Sequence, residues 1–182
     1  MHGILRLSSL SLQWRISDKM SRRIDVEVTT LVYIVCRGKC LFIKKTRKDD
    51  MNLNLYLGLG GHMELSESPE ECMIREIYEE SGLTRDQLDS LEYRGHVTFV
   101  SDKYGTEYMH VFHGSIEDFP DLKTSDEGEL VWVDLKDIYD LPLWEGDKIM
   151  FDLLFADDHP NFFSLKLCYE GGVLASRDVN IY

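Results

Sequence analysis

Polar and apolar residues alternate from Asp25 to Glu27 and then give way to the unbroken apolar run Leu31-Val32-Tyr33-Ile34-Val35-Cys36, which predicts a strand that becomes buried. Arg37-Gly38 is a turn signal, and residues 40–45 return as a second strand, closing a hairpin. Residues 46–56 are polar and irregular, and Gly58, Gly60 and Gly61 mark a bend where backbone passes close to another group. The clearest helix covers 69–81. Ser68 supplies the N-cap, Pro69 the first helical position and Glu71 the third, which together make a capping box; Gly82 is the C-terminal stop. Beyond it, 96–100 and 108–113 read as strands paired around Asp102-Lys103-Tyr104-Gly105, and 130–133 as a short strand. Residues 147–155 carry helical periodicity, and 162–169 with 173–182 form a closing hairpin across Gly171-Gly172. Strands outnumber helices and the helices fall between them, so the class is α/β or α+β.

The chain of 182 residues shows no internal repeat and no low-complexity linker, so residues 20–182 are expected to form a single domain. Residues 1–19 hold a short apolar patch broken by Arg6, with no cleavage site of the signal-peptide kind, and Met20 opens a natural-looking start. That opening stretch is read either as a leader of upstream sequence or as an added helix. Cys36, Cys40, Cys72 and Cys168 form no C-x-x-C pair and sit among apolar residues, which suits reduced buried thiols and a cytoplasmic location. No apolar run approaches the ~18 residues that a membrane span needs. Twenty basic against 33 acidic residues leave a net charge of −13, which repels nucleic-acid polymers and anionic membranes. An anionic substrate would then require positive charge supplied locally, and a divalent cation is the obvious source.

At about 100° per residue, Glu76, Glu79 and Glu80 fall within a ~100° arc of the 69–81 helix, with Ile74, Ile77, Tyr78 and Ser81 opposite. The expected picture is one stripe facing the core and another gathering three carboxylates. Like charges at such spacings cost roughly 0.2–0.5 kcal/mol per pair unless neutralised, and hard oxygen donors suit Mg²⁺, with Mn²⁺ as a substitute. From the glycine bend onward, Gly61-x5-Glu67-x7-Arg75-Glu76-Ile77-x-Glu79-Glu80-x-Gly82-Leu83 matches the Nudix box, G-x5-E-x7-R-E-U-x-E-E-x-G-U with U aliphatic, at every fixed position.

The chain therefore resembles the Nudix hydrolases. The resemblance implies an α/β/α sandwich with a mixed sheet, a loop–helix–loop box, and hydrolysis of a small nucleotide derivative. It further implies that Glu76, Glu79 and Glu80 ligate the metal, with Gly61 backbone approaching the metal or phosphates. Arg75 and Glu67 would brace loop and helix, and Gly82 would end the box. Hydrolysis at phosphorus needs charge neutralised on the phosphate oxygens and a water placed in line, which a metal on a rigid helix face supplies.

Outside the box, residues 106–112, Ser125-Asp126-Glu127 with Trp132, and Leu143-Trp144-Glu145-Gly146-Asp147 resemble the MutT-related oxidised-purine nucleoside triphosphatases, including 8-oxo-dGTP diphosphatases. By that resemblance Glu127 completes the metal site or serves as base, and Trp144 and Asp147 contact the purine. Lys44 and Lys45 end a strand just before the glycine bend, where a triphosphate tail could reach them. Three departures bear on selectivity. Gly146 stands where mammalian relatives carry a first aspartate, Leu57 where they carry an asparagine, and His62 where lysine is common. ADP-ribose or dinucleotide cleavage is the alternative substrate reading. It is weakened because relatives of that kind commonly carry a proline after the box, and 84–119 contains none. A non-catalytic nucleotide-binding module is the other alternative, and its signature would be a box missing one of its glutamates.

Overall fold

The computed structural model describes residues 26–48 and 51–182, so the expectations for residues 1–19 lie outside the described residues. The strands are β1 (Glu27–Cys36), β2 (Lys39–Lys45), β3 (Tyr56–Leu57), β4 (Ser90–Ser101), β5 (Gly105–Ser115), β6 (Gly128–Asp134), β7 (Phe163–Glu170) and β8 (Val173–Ile181). Among the described residues two α-helices join them: α1 (Pro69–Ser81) after β3, and α2 (Glu145–Phe155) between β6 and β7. The mixed sheet runs β3-β2-β1-β5-β4-β7-β8, with β6 along the other edge of β2. Pairs β1–β5 and β4–β7 are parallel; the remainder are antiparallel. This is the sandwich expected of the sequence.

Two cores lie on the two faces of the sheet, and β1 feeds both because successive side chains of a strand point to opposite sides. Leu31 and Tyr33 join Phe42, Val111, Phe163 and the α2 residues Met150, Phe151 and Leu154. Val32, Ile34 and Cys36 join Leu41, Phe112 and the α1 residues Met73 and Ile77. The apolar run without alternation follows from burial on both faces.

α1 forms as its sequence dictates. The Ser68 side chain accepts from the Glu71 amide, Glu71 reaches back to the Ser68 amide, and Gly82 closes the helix at φ 80°. The orientation differs from the wheel. Cys72, Met73, Ile77, Glu80 and Ser81 are buried, whereas Tyr78 is 55% exposed under the Lys123 ammonium. The core-facing arc is thus rotated toward the carboxylates and includes Glu80. The wheel gave the relative angles but not where the sheet lies.

β4 and β5 are longer than the pattern suggests, because one face is open and a bulge between Tyr93 and Gly95 breaks the alternation. α2 starts earlier than 147. Trp144 is its N-cap residue and Asp147 sits in the first turn, held by an Asp147 amide to Trp144 carbonyl hydrogen bond of 3.0 Å. All four cysteines are free, three of them buried. Among the described residues no helix is long and apolar enough to cross a membrane.

Phe151 is fully buried against the rings of Tyr33, Phe42, Tyr139 and Phe155. Phe151→Ala is expected to lower unfolding free energy by roughly 3–5 kcal/mol. Ser68→Ala should cost only about 0.5–2 kcal/mol, through loss of a cap. Urea titration of both variants checks the order; equal losses would count against this packing.

Candidate active site

β1 and β2 pair only through residues 34–36 and 39–41 before they diverge. The freed edge of β1 is taken by the glycine bend. Leu59 exchanges hydrogen bonds with Val32 at 2.8 and 3.0 Å, the Thr30 amide donates to Gly61 at 2.9 Å, and the Met63 amide to Val28 at 2.9 Å. Close approach accounts for both glycines. A Cβ at Gly60, whose φ is +148°, would lie 2.0 Å from the Thr30 carbonyl oxygen; one at Gly61 would lie 2.6 Å from Glu76 Oε1.

Arg75 ties this bend to α1. Its Nε and Nη2 donate to the two oxygens of Glu67 at 2.7 and 3.0 Å, and Nη1 to Glu76 at 2.7 Å and Glu79 at 3.0 Å. Nη2 also donates to the His62 carbonyl at 3.0 Å, so residue 62 contributes through its backbone. Hydrogen bonds from Arg75, then from the Glu64 amide, hold the Glu67 carboxyl down at about 2. The same carboxylates push the Arg75 guanidinium above its already high range.

Glu80 is 5% exposed and accepts from the Gly60 amide at 2.8 Å. Burial pushes its pKa up to about 7; the Gly60 amide and Lys45 oppose the rise, and Glu76 and Glu127 add to it. Lys45 reaches Glu127 at 3.0 Å. Neighbouring strand residues face opposite ways, so Lys44 does not join it: its ammonium lies 5.8 Å from the centre of the Tyr56 ring, away from the cleft.

These groups line one end of a cleft of about 780 Å³. Glu76, Glu80, Glu127, Lys45, Arg75 and Gly61 belong to its wall; Glu79, Lys44, Glu67 and Gly82 do not. Glu79 is half exposed, with its carboxylate on Arg75. Among the described residues no three His, Cys, Asp or Glu side chains are gathered as a ready metal cage. The donor chemistry nevertheless fits a hard cation, since Glu76 and Glu127 both act as like charges on Glu80 and all three line a single cleft.

The other end is aromatic. Trp144 stands edge-on to Phe99, Tyr104 and Tyr169, and its Nε1 donates to Asn52 at 2.8 Å. Asp147 lines the floor, 6% exposed, and its Oδ2 has no hydrogen-bond partner among the described residues. Burial raises its pKa to about 7, opposed by a hydrogen bond from the Trp144 backbone. Gly146 is explained by space: a Cβ there would meet Leu167 Cδ1 at 2.4 Å and the Tyr169 hydroxyl at 2.8 Å. Leu57 also lines the cleft. Sequence reasoning passed over Tyr33, Asn52 and Tyr104, all in the cleft wall. Only Tyr33 carried a signal, as the one polar-tipped side chain in a run otherwise apolar.

The family model of the NUDIX domain matches residues 26–154. The chain belongs to the Nudix hydrolases, a family that generally uses divalent metals. It is similar to the oxidized purine nucleoside triphosphate hydrolase of Danio rerio, 33% identical over 133 residues covering 70% of this chain and 79% of that one. The mutator MutT protein of Bacillus halodurans superposes with a TM-score of 0.72 at 25% identity, covering 85% of this chain and 98% of that one. The NUDIX domain of NrtR from Shewanella oneidensis, solved with ADP ribose, superposes with a TM-score of 0.64 at 15% identity, covering 80% and 96%, a likeness of fold alone.

Two outcomes test the site's construction. Gly60→Ala drives a methyl into backbone, whereas Gly61→Ala meets only the end of the Glu76 side chain. The first should lose thermal stability markedly; the second should stay folded with displaced Glu76 and depressed activity. Equal melting temperatures would contradict the close approach at Gly60. The folded Asp147 carboxyl holds its proton up to about pH 7, while in the unfolded chain it releases it in the usual aspartate range. The folded state therefore binds more protons in that window, so stability falls as pH rises from about 4 to 7 and levels above it. Asp147→Asn should flatten that part of the Tm–pH profile; parallel curves would contradict a raised pKa.

Proposed function

We propose that this chain hydrolyses purine nucleoside triphosphates, oxidised ones such as 8-oxo-dGTP included, to the monophosphate and pyrophosphate, with Mg²⁺ as the cofactor and Mn²⁺ as a substitute. The observation that carries the reading is one cleft with two unlike ends. An acidic box end holds Glu76, Glu80 and Glu127, and an aromatic end holds Trp144 and a buried, half-satisfied Asp147. The relative in Danio rerio, named for oxidised purine triphosphates, supports the same choice.

Glu76, Glu79 and Glu80, with the Gly61 backbone, would hold the cation and Glu127 would complete the set. When bound, the ion neutralises the phosphate oxygens and lowers the pKa of its water. Arg75 and Glu67 position the carboxylates by fixing the bend against α1. Lys45 adds positive charge beside the tail that the −13 chain would otherwise repel. At the far end Trp144 lies against the base. Ionised Asp147 accepts from N1–H and the exocyclic amino group of a guanine-type base, contacts worth roughly 1.5–3 kcal/mol.

The test is a nucleotide panel with Mg²⁺, read by phosphorus NMR. Purine triphosphates should yield monophosphate and pyrophosphate, turnover should stop with excess chelator, and Glu80→Gln should cut kcat by at least about tenfold while remaining folded. Release of free phosphate would overturn the triphosphate reading. AMP and ribose phosphate from ADP-ribose as the dominant products would favour the alternative instead. Full turnover in chelator would overturn the role of the cation.

A further inference from the structure

We infer that Tyr33 is a specificity-determining residue of the base end: its hydroxyl and the Asp147 carboxyl together receive a lactam edge, the carbonyl and adjoining ring N–H of an oxo-purine. The inference rests on reading the aromatic end of the cleft as a base pocket.

Tyr33 lies in the middle of β1 with no exposed surface, its ring set against Phe42, Phe151 and Phe155 at centroid distances of 5.7, 5.1 and 6.2 Å. Phenylalanine would make all those contacts. The hydroxyl adds nothing to the packing and carries a burial penalty that the Gly58 backbone amide offsets only in part, and its own proton has no acceptor within hydrogen-bond distance among the described residues. Tyr33 Oη and Asp147 Oδ2 are the two buried side-chain atoms left with such unused capacity among the described residues, and both residues belong to the same cleft wall. They are linked through α2. Asp147 lies one helical turn before Phe151, the ring that Tyr33 meets edge-on. After burial itself, the charge on Asp147 is the largest influence raising the Tyr33 pKa. Buried polar groups almost always use their hydrogen-bonding capacity, so a donor and an acceptor left over within each other's field point to a partner that arrives from outside the chain.

Their chemistry defines that partner. A phenol can donate, and an ionised carboxylate can only accept. Donor beside acceptor complements a carbonyl beside an N–H, the arrangement of guanine and hypoxanthine at O6 and N1. Adenine presents the reverse, an amino group beside a bare ring nitrogen, and would set that nitrogen's lone pair against the carboxylate. Tyr33 also supplies a reader that two other positions lack. Leu57 has no polar atom in its side chain, and no side chain fits at Gly146.

The experiment compares Tyr33→Phe, Asp147→Asn and the unaltered chain on guanine, hypoxanthine and adenine triphosphates at a pH above the Asp147 titration. Tyr33→Phe is expected to lower the kcat/KM ratio of oxo-purine to adenine substrates roughly 3- to 10-fold, mainly through KM. Its Tm in the absence of nucleotide should hold or rise, since the buried hydroxyl gives up at most a backbone contact at Gly58 and a desolvation penalty with it. An unchanged ratio in Tyr33→Phe, with a collapsed ratio in Asp147→Asn, would overturn the role of Tyr33 and leave the base pocket standing. Unchanged ratios in both variants would overturn the pocket reading and this inference with it. A lowered Tm with all nucleotides slowed equally would show that the hydroxyl serves structure only.

Discussion

The Arg75 guanidinium meets both oxygens of Glu67, one oxygen each of Glu76 and Glu79, and the carbonyl of His62. Those partners come from the bend, the connecting loop and the helix, so one planar fork sets the distances among all three. Lysine has neither the fork nor the five donors needed to do this. The arrangement also answers an electrostatic difficulty internal to α1, where Glu76, Glu79 and Glu80 crowd within little more than a turn. Arg75 neutralises two of them, and the third turns inward to the Gly60 amide. With the bend zipped to β1 on its other side, the acidic end of the cleft becomes a fixed feature of the sheet.

Much of this was written locally and could be read in advance. The capping box, the C-terminal glycine and the spacing from Gly61 to Leu83 involve residues within a few turns of one another, and their geometry needs no knowledge of the rest of the chain. The hairpin and the doubly buried β1 were legible for the same reason. The period of two along β2 also separates Lys44 from Lys45, a distinction the strand pattern contained but that reading them as a pair ignored.

What was hidden depends on topology. The wheel placed three carboxylates in one arc, yet only the sheet under α1 determines that Glu80 is buried and Tyr78 exposed. Asn52 meets Trp144 across 92 positions of sequence, and nothing in the polar stretch 46–56 announces it. Gly146 reads as a missing acid until Leu167 and Tyr169 arrive from β7 to fill the space beside it. Tyr33 shares the fate of any polar tip inside an apolar run, since its ring explains its burial so well that its oxygen escapes notice.

The parallel pairing of β1 with β5 sets Glu27 opposite Glu107, and that of β4 with β7 sets Gly95 opposite Phe163. Such long closures are slow in folding, whereas the β1–β2 hairpin and the capped α1 can form within their own neighbourhoods. During synthesis the acidic helix is thus complete while the floor of the cleft is still inside the ribosome. The carboxylates come first and the far wall of the cleft last, because Asp147, Leu167 and Tyr169 belong to the final third of the chain. A nascent chain halted before α2 would carry its full set of box carboxylates beside a cleft wall still missing Trp144, Asp147, Leu167 and Tyr169.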